Sequence, residues 1–365
     1  MLSTLFFKRY ICGESDFTPK IVVESAPKRR IRFLTAAKMV FFLCRKVVCN
    51  VVLVVVLAVV RNIMRKFKLF VSAMRLRTLP LSLSGIILGI LLAASDFHIG
   101  TAVSILVAVT TVLLQITSNV SNELGDYIRG TVSGDSRDSA ASLSSGELTE
   151  KDLRGMIYVC VALTVICGLA MIWCSFGTLF CLDAFVLILL GFFAIKAAVK
   201  YTLGRNPYCY RGLGDLYVFV FFGIVAVLGS YFVCTHSFGS FKLLLPASAI
   251  GFFSMGVLNV NNIRDMESDR ATRVTVALKL GEKRAKIYHT VLIVLGWVCM
   301  TIYCLLRFFD IWHYLYVLTL PLFVFHLVGV WKHSGKDLDK QLPVLVISSF
   351  LFATLAGIGF LVYLF

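Results

Sequence analysis

Two stretches of this chain end an apolar run with amides and carboxylates: SNVSNELGDYIRG, residues 118–130, and LNVNNIRDMESDR, residues 258–270. The first carries Asn119, Asn122, Glu123 and Asp126, and the second carries Asn259, Asn262, Asp265, Glu267 and Asp269. The asparagine pairs share one spacing and are offset by 140 positions. On a helix, Asn122 and Asp126 are i, i+4 neighbours, while Asn262, Asp265 and Asp269 follow i, i+3, i+7. Each set therefore predicts a single polar stripe, with Glu267 on the opposite face. Two carboxylate stripes brought together repel one another unless a cation lies between them. An oxygen-rich site with amides and open positions suits Mg²⁺, which keeps waters and shares its shell with phosphates. Arg129, Arg264 and Arg270 lie within a turn of those carboxylates. Divalent metal together with guanidinium groups is a combination suited to a diphosphate. Helix caps and interfacial ion pairs would account for one such stripe alone. Two, matched in spacing and flanked by arginines, mark a functional cluster.

The elements that must carry these stripes follow from composition. Of 365 residues, 59% are hydrophobic and 15% charged, with a mean hydropathy of +0.87, which is too little polar surface to coat a soluble globule of this size. The expectation is an all-α integral membrane protein. A span needs roughly 20 apolar residues, and nine segments qualify: 79–96, 101–122, 155–175, 178–199, 215–234, 242–262, 287–306, 311–331 and 343–364. A very short turn near Gly177 joins the third to the fourth. The alternate connections 61–77, 123–154, 196–214, 264–286 and 332–340 hold 24 Lys or Arg, and the intervening ones hold only Lys242 and Arg307. By the positive-inside rule the basic connections are cytoplasmic, and both Asn/Asp stripes end on that side. The net charge of +16 is spread through short loops next to spans, so anionic lipid headgroups explain it without a nucleic-acid partner. Eleven cysteines include no C-x-x-C pair. Cys160, Cys167, Cys174 and Cys181 recur every seven residues and read as packing residues on one helix face. The six histidines lie outside both stripes, and no ligand role is assigned to them.

These residues resemble the UbiA superfamily of intramembrane prenyltransferases, whose members have nine transmembrane helices and two Asp-rich motifs on cytoplasmic loops. The resemblance covers about residues 70–365. It rests on RLRTLPLSLSG (75–85), the first polar motif with Gly130 and Gly146, YTLGRNPYCYRGLGDLYVFVFFG (201–223), and NNIRDMESDR (261–270) followed by LKLG (278–281). The middle stretch is similar to the members that prenylate 1,4-dihydroxy-2-naphthoate in menaquinone synthesis. The resemblance implies that Asn122 with Asp126, and Asp265 with Asp269, hold Mg²⁺ on the diphosphate of an allylic polyprenyl donor, with Asn262 beside them and Arg129, Arg264 and Arg270 near the phosphates. It also implies that the 201–215 loop lies over the acceptor, so that Tyr201, Tyr210 and Asp215 line it. Lys200, Arg211 or Arg77 would then pair the acceptor's carboxylate or the diphosphate. An interfacial aromatic belt is an alternative for Tyr201, Tyr208 and Tyr210. The sequence departs from the family's pattern at Val132, where a second aspartate is usual, and at Leu203 and Arg205, often Gly and Pro. The implied setting is the cell's inner (cytoplasmic) membrane with the site facing the cytoplasm. Other family acceptors, 4-hydroxybenzoate or homogentisate, and a cation-coupled transporter built on the 140-residue repeat are the competing readings.

Residues 64–365 are thus expected to form the catalytic fold. Residues 1–63 contain an apolar run, 47–60, that would rise only about 21 Å as a helix, short of a roughly 30 Å hydrocarbon core. If it spanned, eight Lys or Arg within residues 1–38 would face outward against the pattern of every other loop. The segment is expected to be a cytoplasmic, interface-lying extension, or the product of an upstream start codon with Met64 as the true beginning.

Overall fold

The computed structural model describes residues 56–129, 148–204, 212–270, 274–307 and 310–362. Contacts divide the chain into two units, Met1–Met64 and Arg65–Phe365. Most of the first lies outside the described residues, and the second carries the site. Among the described residues there are no strands, and nine helices are long and apolar enough to cross a membrane. From the second unit we label α1 (Leu79–Asp96), α2 (Thr101–Ile128), α3 (Glu150–Phe176), α4 (Leu182–Lys200), α5 (Gly214–Thr235), α6 (Leu244–Arg264), α7 (Glu282–Leu306), α8 (Ile311–Lys332) and α9 (Gln341–Val362).

Several helices outrun the apolar segments that predict them, because polar residues at their ends find partners. Thr149 and Asp152 form a reciprocal capping box that starts α3 five residues before its apolar run. Six residues are added to the end of α2, so Asp126 sits on the helix itself. The short turn after α3 is made by Gly177, whose φ of 69° is the left-handed conformation that closes a helix C-terminus without a Cβ penalty. Cys181 lies beyond this turn and caps α4 with its sulfur, so it does not share the α3 face of Cys160, Cys167 and Cys174.

The helices close into a bundle in which α1 packs on both α2 and α9, α2 on α3 and α4, α5 on α1 and α6, and α6 on α7. The main core lies among α1, α5, α6, α7, α8 and α9, centred on Phe253, Phe323 and Phe352 with Trp297 and Tyr316 against them. A second cluster joins α2 to α3 through Val120, Leu124, Leu153 and Ile157. At the end away from the Asn/Asp motifs, Asp96 accepts from Arg307 at 2.7 Å and from Tyr231 at 2.7 Å, tying α1, α7 and α5 together. Helix α5 is wound with a π-helical segment over Phe219–Val225, and the wider turn turns Phe221, Phe222 and Val225 together toward the interior.

Glycine permits the closest approach in this region. A Cβ at Gly223 would stand 2.6 Å from the Ala247 carbonyl oxygen and 2.6 Å from the Gly251 Cα, both backbone atoms of α6. Because backbone cannot swing aside, Gly223→Ala is expected to separate α5 from α6 at a cost of about 1–3 kcal/mol. Thermal denaturation of the purified variant in detergent should show a lowered Tm. An unchanged Tm would mean that α5 and α6 are packed together less closely than these distances imply.

Candidate active site

The apolar stretch of α2 ends in a sequence whose alternate faces serve two purposes. Asn119, 4% exposed, donates to the Met74 carbonyl at 2.8 Å and to Thr78 at 3.0 Å, and accepts from Gln115. It therefore fixes the turn that leads into α1. One turn on, Asn122 faces a cavity and accepts from Thr202 at 3.1 Å. Thr202 also donates to the Ser121 carbonyl, and Gly125 makes room for it: a Cβ there would lie 2.6 Å from the Thr202 Cβ. The end of α4 is thereby seated on the first motif. Asp126 follows Asn122 on the same side and also lines the cavity.

In α6 the pattern repeats 140 positions later with the same division of labour. Asn259 is buried and donates to the Ala285 carbonyl of α7 at 3.0 Å, whereas Asn262 faces the cavity. Each repeat therefore uses its first asparagine to hold a neighbouring segment and presents its second to one shared space, which Asn119 also borders. The expected continuous helix through Asp269 breaks at Asp265, the C-terminal cap of α6 (φ −97°, ψ 11°), and resumes as a four-residue turn, Met266–Asp269. The stripe survives the break because the Asp269 amide donates to the Asp265 carbonyl at 2.9 Å. Asp265 and Asp269 both line the cavity, and Glu267 is exposed outside it.

The cavity has a volume of about 570 Å³. Its polar end gathers Asn122, Asp126, Asn262, Asp265 and Asp269 with Arg77, Tyr201, Asp215 and Arg264. Its remainder is mostly apolar, with a few Ser and Thr hydroxyls and Gln115, and reaches Ile86, Val107, Met171, Leu187 and Val233. Along α4 alone the lining runs from Leu187 to Tyr201, about 21 Å at about 1.5 Å per residue. A polar head with a long apolar body is the shape of a lipid carrying a charged group.

Three predicted site residues stand elsewhere. Arg129 caps α2 and donates to the Gly204 carbonyl at 2.6 Å. Lys200 is exposed at the last position of α4, and Arg270 is exposed beyond the second motif. None of the three lines the cavity. The physical reason is direction: Arg129 and Arg270 follow a motif in sequence but fall past a helix end, and Lys200 closes α4 on its exposed side, so none of them belongs to the wall that the motifs build. Tyr210 and Arg211 lie outside the described residues, as do Val132 and Arg205. Arg264 lies at the cavity, but its guanidinium is engaged with protein: it donates to both oxygens of Asp265 at 2.8 and 2.7 Å, to Asn261 at 2.9 Å and to Asp339 at 2.7 Å.

Residues that the motif reading did not select complete the wall. Glu123 is buried, and Arg75 reaches it at 3.3 Å from a left-handed backbone conformation, φ 47° and ψ 54°. A non-glycine residue held there marks a turn over-determined by its surroundings. Asn261 and Ser268 also face the cavity. Asn261 could have been found from the N-V-N-N text itself, since its neighbours were taken. The Arg75–Glu123 pair carries no local signal, because its partners are 48 positions apart.

Among the described residues no three His, Cys, Asp or Glu side chains stand close enough to hold a metal ion by themselves. The donors present are hard oxygens of amides and carboxylates on two walls of one polar cavity end, which fits a Mg²⁺ ion that completes its shell with water and phosphate oxygens. Asn122 and Asp126 on one wall, and Asp265 and Asp269 on the other, are the groups that would hold it.

An all-helical membrane bundle with a half-polar, half-apolar chamber between two oxygen-rich motifs defines an intramembrane enzyme acting on a lipid with a charged head. Residues 82–355 match the UbiA prenyltransferase family, and the chain belongs to that family. It is 36% identical over 256 residues to the 1,4-dihydroxy-2-naphthoate octaprenyltransferase of Escherichia coli, covering 70% of this chain and 82% of that one. It is 33% identical over 306 residues to the enzyme of the same name from Haemophilus influenzae, covering 83% and 98%. Among solved structures it resembles a UbiA homologue from Aeropyrum pernix, with a TM-score of 0.59 at 16% identity over 79% of this chain and 97% of that one. The protein is accordingly a multi-pass membrane prenyltransferase, and enzymes of this family are generally dependent on a divalent metal.

Proposed function

We propose that the protein transfers a polyprenyl group from an allylic polyprenyl diphosphate to 1,4-dihydroxy-2-naphthoate, with loss of pyrophosphate and carbon dioxide, giving the demethylmenaquinone skeleton in its hydroquinone form. The observation that carries this reading is one cavity whose polar end holds the oxygen donors of both motifs and whose body is an apolar passage along α4. The activity for which the relatives are named supplies the acceptor.

In this reading the donor lies with its tail along Leu187, Leu190 and Phe222 and its diphosphate among Asn122, Asp126, Asp265 and Asp269. Bound Mg²⁺ would neutralise the diphosphate and the charge that grows on it as it departs. Arg264 and Arg77 add cationic donors at the same end. The allylic C–O bond breaks with its electron pair leaving on pyrophosphate. The electron-rich ring supplies the pair for the new C–C bond, and the bond to the carboxylate breaks to restore aromaticity as carbon dioxide departs. The apolar walls keep water from the allylic cation, which it would otherwise hydrolyse. The motif end is assigned to the cytoplasmic face of the inner membrane, because the connections on that side carry the excess of Lys and Arg.

The test is incubation of the purified protein in detergent with Mg²⁺, several polyprenyl diphosphates and a panel of aromatic acids, with products identified by mass. The naphthoate should be the acceptor consumed. EDTA should abolish turnover and excess Mg²⁺ should restore it. Prenylation of 4-hydroxybenzoate or homogentisate in preference to the naphthoate would replace the acceptor, and turnover unaffected by EDTA would refute the metal-bound diphosphate.

A further inference from the structure

Asp215 is the second residue of α5 and lines the cavity, yet it is only 7% exposed. Its side-chain partner is the Tyr288 hydroxyl of α7, which donates to Oδ2 at 2.8 Å. Tyr288 does not itself line the cavity. Among the described residues no Lys or Arg forms an ion pair with Asp215, whereas Glu123, Asp265 and Asp96 each have an arginine. Beside Asp215, Gly214 lets the Tyr201 hydroxyl come close, within 3.2 Å of where a Cβ would stand.

A buried carboxylate without a cation is costly unless something donates to it. The Tyr288 phenol and a backbone amide donate to it from the protein side, and its place in the cavity wall leaves room for a further donor from a bound molecule. An ionised diphosphate cannot supply one, because its oxygens only accept, and the same holds for the carboxylate of an aromatic acid. A hydroxyl can. We propose that Asp215, oriented by Tyr288, accepts a phenolic hydroxyl of the aromatic substrate and carries its proton during transfer; this rests on the aromatic-acceptor reading above. As the donor ionises, the hydroxyl proton passes to Asp215 and the oxygen's electrons feed the ring carbon that forms the C–C bond. When carbon dioxide leaves and the ring regains aromaticity, the proton returns from Asp215 to the same oxygen. No proton is gained or lost overall, and no further reactant is required. Asp215 is then a catalytic residue and Tyr288 a positioning residue behind it.

The experiment compares wild type, Asp215→Asn and Tyr288→Phe in Mg²⁺, with geranylgeranyl diphosphate as donor. The acceptors are 1,4-dihydroxy-2-naphthoate and its two mono-O-methyl ethers. For the wild type, one ether should be turned over far more slowly than the dihydroxy acid. Asp215→Asn should lose about 10²- to 10⁴-fold in kcat with the dihydroxy acid and no longer distinguish it from that ether. Tyr288→Phe, which keeps the ring and removes the one donor, should lose about tenfold in kcat with the donor KM unchanged. That unchanged donor KM also reports a folded cavity. If Asp215→Asn keeps the wild-type preference for hydroxyl over ether, or changes only the donor KM or the Mg²⁺ requirement, Asp215 belongs to the diphosphate side and the proposal is overturned. If the wild type instead uses another phenolic acid, the acceptor assigned above fails. The pair is then judged by the same comparison of that acid with its methyl ether: loss of the preference in Asp215→Asn supports it, and an equal preference overturns it.

Discussion

Asp126→Ala and Asp265→Ala are each expected to lower turnover by about 10³-fold or more while leaving the helices inserted. The two carboxylates stand on opposite walls of the cavity's polar end, one on α2 and one at the end of α6. In the proposed reaction each would bind a metal ion on the diphosphate, where a single well-placed electrostatic contact accounts for about 10²- to 10³-fold in rate. Neither side chain is part of an apolar core cluster. Asp265 does have a structural duty, because it shares the Arg264 guanidinium with Asp339. Asp265→Asn is the sharper variant for that reason: it keeps the shape and an acceptor oxygen for Arg264 but removes the charge. Turnover and a monodisperse elution profile in detergent would be measured together. Retention of more than a few per cent of activity by both alanine variants would sink the assignment of these carboxylates to the metal.

The nine spans and the polar ends of α2 and α6 are legible in the sequence because they depend on local pattern. An apolar run of about 20 residues has few alternatives to a membrane helix, and amides at i, i+3 or i, i+4 land on one face wherever that helix is placed. The division of labour within each repeat is not legible. Asn119 and Asn122 look equivalent in the text and both border the cavity, and only the arrival of Met74 and Thr78 on one side and Thr202 on the other shows which segment each amide holds. The same limit explains the arginines. Arg129 and Arg270 are as near to a motif in sequence as Arg264 is, but proximity along the chain does not set direction once a helix has ended. Asp339, which takes one arm of Arg264, is 75 positions away and belongs to the short helical turn before α9. Long-range ion pairs of this kind follow from how α6, α8 and α9 pack, which no single segment encodes. Arg75 shows the point in another way: its left-handed backbone is imposed by the turn that Asn119 fixes, and the text R-L-R-T-L-P gives no glycine to announce it.

Arg264→Ala is expected to impair use of the diphosphate donor more than use of the aromatic acceptor, with donor KM raised about tenfold or kcat lowered to match. The guanidinium occupies the cavity's polar end and already spans Asp265, Asn261 and Asp339 with charge-assisted bonds of 2.7 to 2.9 Å. It can act on the donor in two ways: directly, by offering a donor to a phosphate oxygen, or indirectly, by holding the Asp265 carboxylate in the pose a metal needs. Two further variants separate these. Arg264→Lys retains charge but not the planar fork that engages both Asp265 oxygens, so it should restore part of a direct effect and little of an indirect one. Asp339→Asn releases one arm of the guanidinium without touching the cavity wall; it should change donor KM by less than about threefold, as expected for a half-exposed pair worth at most ~1 kcal/mol. If Arg264→Ala changed the acceptor KM alone, the arginine would be reassigned to the carboxylate of the aromatic acid. The polar end of the cavity would then divide between the two substrates along α6, with Asp265 and Asp269 on the donor's side of Arg264.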